Sequence, residues 1–156
     1  MILETAFGLM GVLAVTAGYV VLRRRRENRV TPELLEIPEH VIVLMRGKEH
    51  LRKIAKLSTE IAQSNVKILV TNIGLVAQKI YNNLEKDPRD LSVLRNFVDY
   101  HAPEFVKLIE EYIRVASTPE SLARDKALAD CENVMREMTK TFEAFYQKCF
   151  ENDAEG

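Results

Sequence analysis

Apolar residues at the start of the chain form one continuous run instead of a periodic pattern. The run covers residues 5–22, contains no charged side chain, and is followed at once by Arg23, Arg24, Arg25 and Arg26. A helix of that length extends about 27 Å, close to the roughly 30 Å of a bilayer's hydrocarbon core. Positive charge beside a span favours the cytoplasmic side. We therefore expect a single-pass protein of the cell membrane, with its N-terminus outside and the remaining chain in the cytoplasm.

A cleaved signal peptide is the alternative interpretation of this run. The positive region of a signal peptide precedes its apolar region, whereas here the arginines follow it, and no cleavage-site pattern is present. The order of charges favours a retained anchor over residues 1–26, which contacts the lipid bilayer through residues 5–22. The four arginines form a membrane-proximal basic cluster that can touch anionic headgroups.

Beyond the anchor, apolar residues recur at three- and four-residue steps. Residues 27–40 contain Pro32 and Pro38, and we expect a linker there with at most one helical turn. The first periodic helix is expected to begin between His40 and Lys48, and Gly47 is a candidate for an interruption. Its apolar positions are Leu51, Ile54, Leu57 and Ile61.

The second predicted helix covers about residues 66–84, after a break at Ser64 and Asn65. Ile68 and Leu75 lie off its main apolar face, so the segment is apolar around most of its circumference. That distribution is typical of a helix in the middle of a bundle.

Prolines predict the remaining helix boundaries. Asp87 can cap a third helix with Pro88 at its first position, and residues 117–120 start a fourth by the same chemistry. Pro103 lies inside the third helix and should kink it near residues 99–102, because its ring removes one backbone hydrogen bond. The fourth helix has an apolar stripe at Ala127, Cys131, Val134, Met138, Phe142, Phe145 and Cys149.

The expected fold is therefore all-α: an N-terminal transmembrane helix followed by a cytoplasmic four-helix bundle with a proline-kinked third helix. The bundle occupies residues 41–150, and residues 151–156 form an acidic, frayed tail. A domain of this size can bury a modest core.

Charge is divided unevenly along the chain. Residues 23–30 carry five arginines and Glu27, whereas residues 31–156 carry 17 basic and 21 acidic side chains. A slightly acidic domain argues against a nucleic-acid partner. Cys131 and Cys149 are expected to be reduced residues of the core, because the domain is predicted to be cytoplasmic.

No catalytic constellation can be assembled from the sequence. A cysteine phosphatase needs an arginine a few residues after its nucleophile, but Cys131 and Arg136 have the wrong spacing and lie within a helix. The chain has no glycine-rich phosphate loop. His101 and Glu104 have a spacing that suits metal binding, but no second pair exists on another helix. We therefore predict no catalytic residue, no metal and no cofactor.

One polar cluster stands beside the predicted kink, and it is the candidate binding site. It consists of Asp99, Tyr100, His101 and Glu104. A bent helix in a bundle opens space beside it, so we expect these side chains to line a small notch.

Three stretches resemble the XpaC-like family, which is named for bromo-chloro-indolyl phosphate hydrolysis. They cover residues 83–88, 94–103 and 105–112: an aromatic-rich helix with an internal proline, then a leucine-rich stretch ending in Tyr112. The resemblance covers about residues 48–150. It implies a helical, membrane-associated protein connected with phosphate-ester cleavage, and it supplies no catalytic residues.

The expected function is that of a membrane-anchored cytoplasmic helical module for protein interaction or regulation. Its helical domain would bind a protein partner, with a homo-oligomer left open. The alternative, which the family name suggests, is a phosphate-ester hydrolase or a hydrolysis-associated protein.

Overall fold

The computed structural model describes residues 37–154, except for the side chains of Asn152 and Asp153. The predicted anchor, the arginine cluster and most of the linker lie outside the described residues. The chain divides between Ile37 and Pro38, and the described helices all belong to the second unit. None of the helices described combines the length and hydropathy needed to cross a membrane.

Residues 37–154 form helices and contain no strand, which confirms the all-α prediction for this part of the chain. Helix α1 is Glu39–Glu60 and α2 is Ser64–Lys86. The third helical run consists of a 3₁₀ turn (Pro88–Asp90), α3 (Leu91–Asn96), a π-helical turn (Phe97–His101) and α4 (Ala102–Ala116). The last helix, α5, is Leu122–Ala154.

Helix α1 runs through Gly47 without a break, so the predicted interruption there is wrong. Gly47 is buried, and a Cβ atom at this position would overlap the ring of Tyr81 on α2. The glycine therefore serves close packing of the two helices, although glycine is a poor helix former.

One face of α2 is completely buried, by Val66, Val70, Ile73, Ala77, Ile80 and Leu84. Helices α1 and α5 both pack on α2. Ile68 and Leu75, however, are 60% and 51% exposed, so the prediction that apolar residues would be enclosed around most of this helix is wrong. The remaining face of α2 has no cover within residues 37–154.

The start of the third run has the predicted cap. The backbone N–H of Arg89 donates to Asp87 Oδ1 at 2.9 Å, and Pro88 occupies the first position. Pro103 stands near the start of α4, directly after the π-helical turn. In that turn the N–H of Ala102 donates to the carbonyl of Phe97, five residues earlier. The backbone irregularity therefore lies where the proline predicted it, and it takes the form of a wider turn.

Helix α5 differs from its prediction at both ends. It begins at Leu122, where the Ser121 hydroxyl accepts from the N–H of Arg124 at 3.1 Å, so residues 117–120 do not cap it. It continues to Ala154, into the segment expected to be a frayed tail.

Four buried positions of α5 follow a heptad spacing, Leu128, Met135, Phe142 and Cys149, and Phe145 is buried beside them. Val134 is 49% exposed, so its predicted place in the stripe is wrong. Over the roughly six turns from Leu128 to Cys149, a seven-residue repeat keeps one line facing α2 and α4, and Met135, not Val134, lies on that line.

Phe97 lies at the centre of the core. Its ring centroid is 4.9 Å from that of Phe142, 5.6 Å from that of Phe145 and 5.6 Å from that of Tyr81. Phe97 is also the first residue of the π-helical turn. The packed aromatic core thus holds one end of the turn, and the polar residues that follow it come to the surface.

Candidate functional site

The π-helical turn carries three of the four residues predicted as a binding site: Asp99, Tyr100 and His101. Consecutive residues of a helical turn project in different directions. The turn therefore directs their side chains toward different neighbours.

Asp99 is directed toward α1. Its Oδ1 atom lies 3.3 Å from an Nη atom of Arg46, and both side chains are about half exposed. An exposed pair at this distance contributes little to stability, because water and salt screen it. It does join the π-helical turn to the first helix.

His101 is directed toward α5. Its ring centroid lies 5.1 Å from that of Phe145, and its Nε2 atom lies 3.4 Å from Asn96 Nδ2. Desolvation, and then the positive charge of Lys148, lower the pKa of the imidazole below its usual value. His101 is therefore a neutral ring at pH 7.

Tyr100 is the exposed member, with 57% of its surface accessible. Its ring stands edge-on to His101, with centroids 5.1 Å apart. Glu104 Oε1 accepts a hydrogen bond from Lys107 Nζ at 2.6 Å. The pKa of Lys107 is raised, chiefly by Glu104 and further by the nearby Tyr100. The structure thus brings Tyr100 together with His101 and with the Glu104–Lys107 pair, while Asp99 lies apart from them.

A second polar contact at the junction of α1 and α2 was not expected from the sequence. His50 Nδ1 lies 3.1 Å from the hydroxyl of Tyr81, and the contact is partly buried. Burial, followed by the charges of Lys53 and Arg46, lowers the pKa of His50, and burial raises the pKa of Tyr81 well above its usual value. Both groups are therefore neutral near pH 7, and a hydrogen bond joins them.

Only the register of α1 against α2 brings His50 to Tyr81, which is 31 residues away in sequence. Gly47 is the one signal that could have indicated the contact, because a small residue inside a helix marks a place where a neighbour approaches closely.

Cys131 and Cys149 form no disulfide with each other, in agreement with the prediction that they are reduced. Burial raises the pKa of the half-buried Cys131, and negative charge on Glu111 adds to the effect. Cys149 is buried, and its thiol donates to the carbonyl of Phe145 at 3.5 Å. A thiol with a raised pKa is a poor nucleophile, so Cys131 in this position is a packing residue.

Metal-ligand side chains are dispersed over the surface. Within residues 37–154, no three of them approach closely enough to hold an ion.

Comparison with known proteins gives one family. A family model described as "5-bromo-4-chloroindolyl phosphate hydrolysis protein" matches residues 1–156. The match therefore extends beyond residues 48–150, where the sequence resemblance was recognised, and includes the N-terminal segment. No curated protein and no solved structure matches the chain.

Proposed function

The chain belongs to the 5-bromo-4-chloroindolyl phosphate hydrolysis family, and from this membership we propose that it supports phosphate-ester cleavage as a helical module that binds another protein. The main structural support for this proposal is the exposed ring of Tyr100 on the π-helical turn. The proposed contact surface consists of Tyr100, His101 and Glu104.

Tyr100 has the properties of an interface anchor. Tyrosine is enriched among the residues that dominate binding energy, because it offers a large contact area and loses little conformational freedom. The ring of His101 supports Tyr100, and Phe145 of the core supports His101. A partner would thus meet an aromatic side chain that is already held in place. π-helical turns are also frequent at functional sites.

The groups best suited to attack phosphorus are in unreactive forms. The phenol of Tyr81 and the thiol of Cys131 both have raised pKa values because they are desolvated. Nucleophilic catalysis requires the opposite shift or an adjacent base that removes the proton. This chemistry favours a partner protein as the site of ester cleavage.

The family description also supports a second candidate, in which the chain itself cleaves phosphate esters. The observation that favours it is the partly buried imidazole of His50, whose pKa is lowered by burial and then by the positive charges of Lys53 and Arg46. In this case His50 would accept a proton from water, and Arg46 would bind the phosphoryl oxygens.

We further propose that the module is tethered to the membrane through residues 5–22, with the helical domain on the cytoplasmic side. This part of the proposal rests on the uncharged run and the arginines that follow it.

Cleavage of 5-bromo-4-chloroindolyl phosphate provides the test. Cells that lack the protein should cleave the substrate at least tenfold more slowly, and the full chain should restore the rate. Tyr100→Ala should not restore it, because the interface loses its anchor. The matched control is Phe150→Ala, which removes another exposed aromatic ring.

The same substrate separates the two candidates in purified form. The full chain alone, with and without divalent metal ions, should release no more product than buffer does. Product release that falls when His50 is replaced by alanine would establish the second candidate instead. Full restoration in cells by Tyr100→Ala would exclude this surface.

A further inference from the structure

Two stripes of α2 repeat at alternating steps of four and three residues, and only one of them lies in the core. The inner stripe is the buried face described above, which repeats at steps of four and three residues from Val66 to Leu84. The outer stripe has the same alternation of steps, and every member of it is exposed: Ser64, Ile68, Thr71, Leu75, Gln78 and Asn82. We call these six residues the outer seam.

The outer seam contains no charged residue, although 29% of the chain is charged. Alternating steps of three and four residues are the spacing of a coiled-coil seam. In the outer seam the apolar side chains are Ile68 and Leu75, and the other four members are polar and uncharged. Ile68, Leu75 and Asn82 then occupy the a positions, and Ser64, Thr71 and Gln78 the d positions. The next d position is Glu85, which lies 4.0 Å from Lys48, so the seam ends at Asn82.

Helix α1 extends the outer seam into a groove. A cavity of about 400 Å³ lies between the two helices, lined on α2 by Thr71, Gly74, Leu75 and Gln78 and on α1 by Leu51, Ala55 and Ser58, among others. Small residues allow another helix to approach closely. Arg52 is the single charged residue in the lining.

We propose that the occupant of this groove is a second copy of the same chain, with the two α2 helices parallel and in register. In that arrangement Ile68 meets Ile68 and Leu75 meets Leu75, so the apolar layers coincide. Asn82 meets Asn82 at an a position, where a single asparagine specifies register and the two-stranded state.

The charges beside the outer seam agree with self-association. Lys67 and Lys79 occupy g and e positions, and in a parallel pair they would face Asn72 and Gly74 of the second copy. No two like charges would meet across the seam between Ser64 and Asn82. The antiparallel pair is less favourable, because it places Ile68 against Gln78 and Leu75 against Thr71.

This interface is separate from the surface proposed to bind another protein. The outer seam lies on α2, whereas Tyr100 belongs to the third helical run. The inference therefore does not depend on the proposed function.

Disulfide cross-linking of the full chain in expressing cells tests the arrangement. Ile68→Cys and Leu75→Cys should each form a dimer with themselves under mild oxidation, because a positions in a parallel pair lie within disulfide distance. Val134→Cys, an exposed position on α5, is the matched control, and the parent chain gives the background from Cys131 and Cys149. Cross-linking only between Ile68→Cys and Leu75→Cys, in a mixture of the two, would overturn the parallel arrangement.

Light scattering of the purified full chain in detergent provides the second measurement. The parent should have a concentration-dependent protein mass that reaches twice that of one chain. Leu75→Glu should raise the dissociation constant at least tenfold and leave the helix content unchanged, because the side chain is half exposed. Its melting temperature should equal that of the parent at protein concentrations where both are monomeric. Val134→Glu should associate like the parent.

Three results would overturn the proposal: a monomeric parent at all concentrations, equal association of Leu75→Glu and the parent, or equal weakening by Val134→Glu. If the parent is monomeric and Leu75→Glu still abolishes substrate cleavage in cells, the outer seam binds a different protein.

Discussion

At the scale of single residues, Gly47 and Asp87 differ in how far sequence alone explains them. The cap formed by Asp87 depends on residues two positions apart, so local chemistry was sufficient to predict it. Gly47 was misjudged because its reason lies on another helix, in the ring of Tyr81. The contact between His50 and Tyr81 was missed for the same reason, since no local rule specifies the register of α1 and α2.

Gly47→Ala should destabilise the protein even though alanine is the better helix former. The gain in helix propensity is about 1 kcal/mol, whereas forcing a methyl group into a packed core costs about 1–3 kcal/mol or more. The ring of Tyr81 is buried against Phe97 and has little room to move. Denaturant unfolding of the full chain should show a net loss of stability.

Gly74→Ala is the control for this prediction. A Cβ atom there would meet only the Cγ2 methyl of Ile54, at 3.0 Å, so the two helices need to move apart by no more than a few tenths of an ångström. Its unfolding free energy should stay within about 1 kcal/mol of the parent. Equal effects of the two substitutions would show that the Tyr81 contact does not limit residue 47.

At the scale of elements, the existence of the helices was predictable and the identity of their buried faces was less so. Periodicity identified α2, but two stripes share its period, and only packing against α1 and α5 shows which one is buried. In α5, Val134 was predicted to lie in the apolar stripe, but Met135 is the buried residue because it lies on the heptad line. Pro103 predicted an irregular backbone because it lacks an N–H, whereas the form of the irregularity depends on the whole helical run.

Ile73→Asp and Ile68→Asp form a matched pair on the two faces of α2. Ile73 is fully buried, so an aspartate there places an unpaired charge in the core and should cost more than about 3 kcal/mol. Ile68 is exposed, and the same change should cost less than about 1 kcal/mol. Unfolding is measured at a protein concentration low enough to exclude association. Similar losses at the two positions would contradict the assignment of the inner face.

At the scale of the whole molecule, the helical part and the N-terminal segment rest on different kinds of evidence. Residues 37–154 have packed helices whose apolar stripes meet, and the family match covers the complete sequence. The orientation in a membrane is a proposal from charge and hydropathy alone. For the candidate site, the sequence predicted where the backbone becomes irregular. It could not show that Asp99 faces α1 while His101 faces α5, because the directions of these two side chains depend on the packing of the helices.

A reporter enzyme fused after Gly156 tests this orientation. It should report a cytoplasmic location in the parent, because positive charge next to a span is retained on that side. Replacing Arg23, Arg24, Arg25 and Arg26 together with glutamine should lower the cytoplasmic fraction. Replacing Lys48, Arg52, Lys53 and Lys56 together with glutamine removes four positive charges far from the apolar run in sequence, so it is the charge-matched control and should leave the cytoplasmic fraction unchanged. An extracytoplasmic signal from the parent would refute the orientation.

The π-helical turn also has a consequence for length variation in this family. The hydrogen bond from Ala102 to Phe97 encloses one residue more than an α-helical bond does. A chain with one residue fewer in this stretch could form an uninterrupted α-helix, because five residues of the wide turn and four residues of an α-helix both advance by about one turn around the axis. Phe105 and Ile109, both fully buried, would then keep their places in the core. A single-residue deletion within the π-helical turn is therefore compatible with the fold, whereas a deletion within α4 would rotate every later side chain of that helix by about 100°.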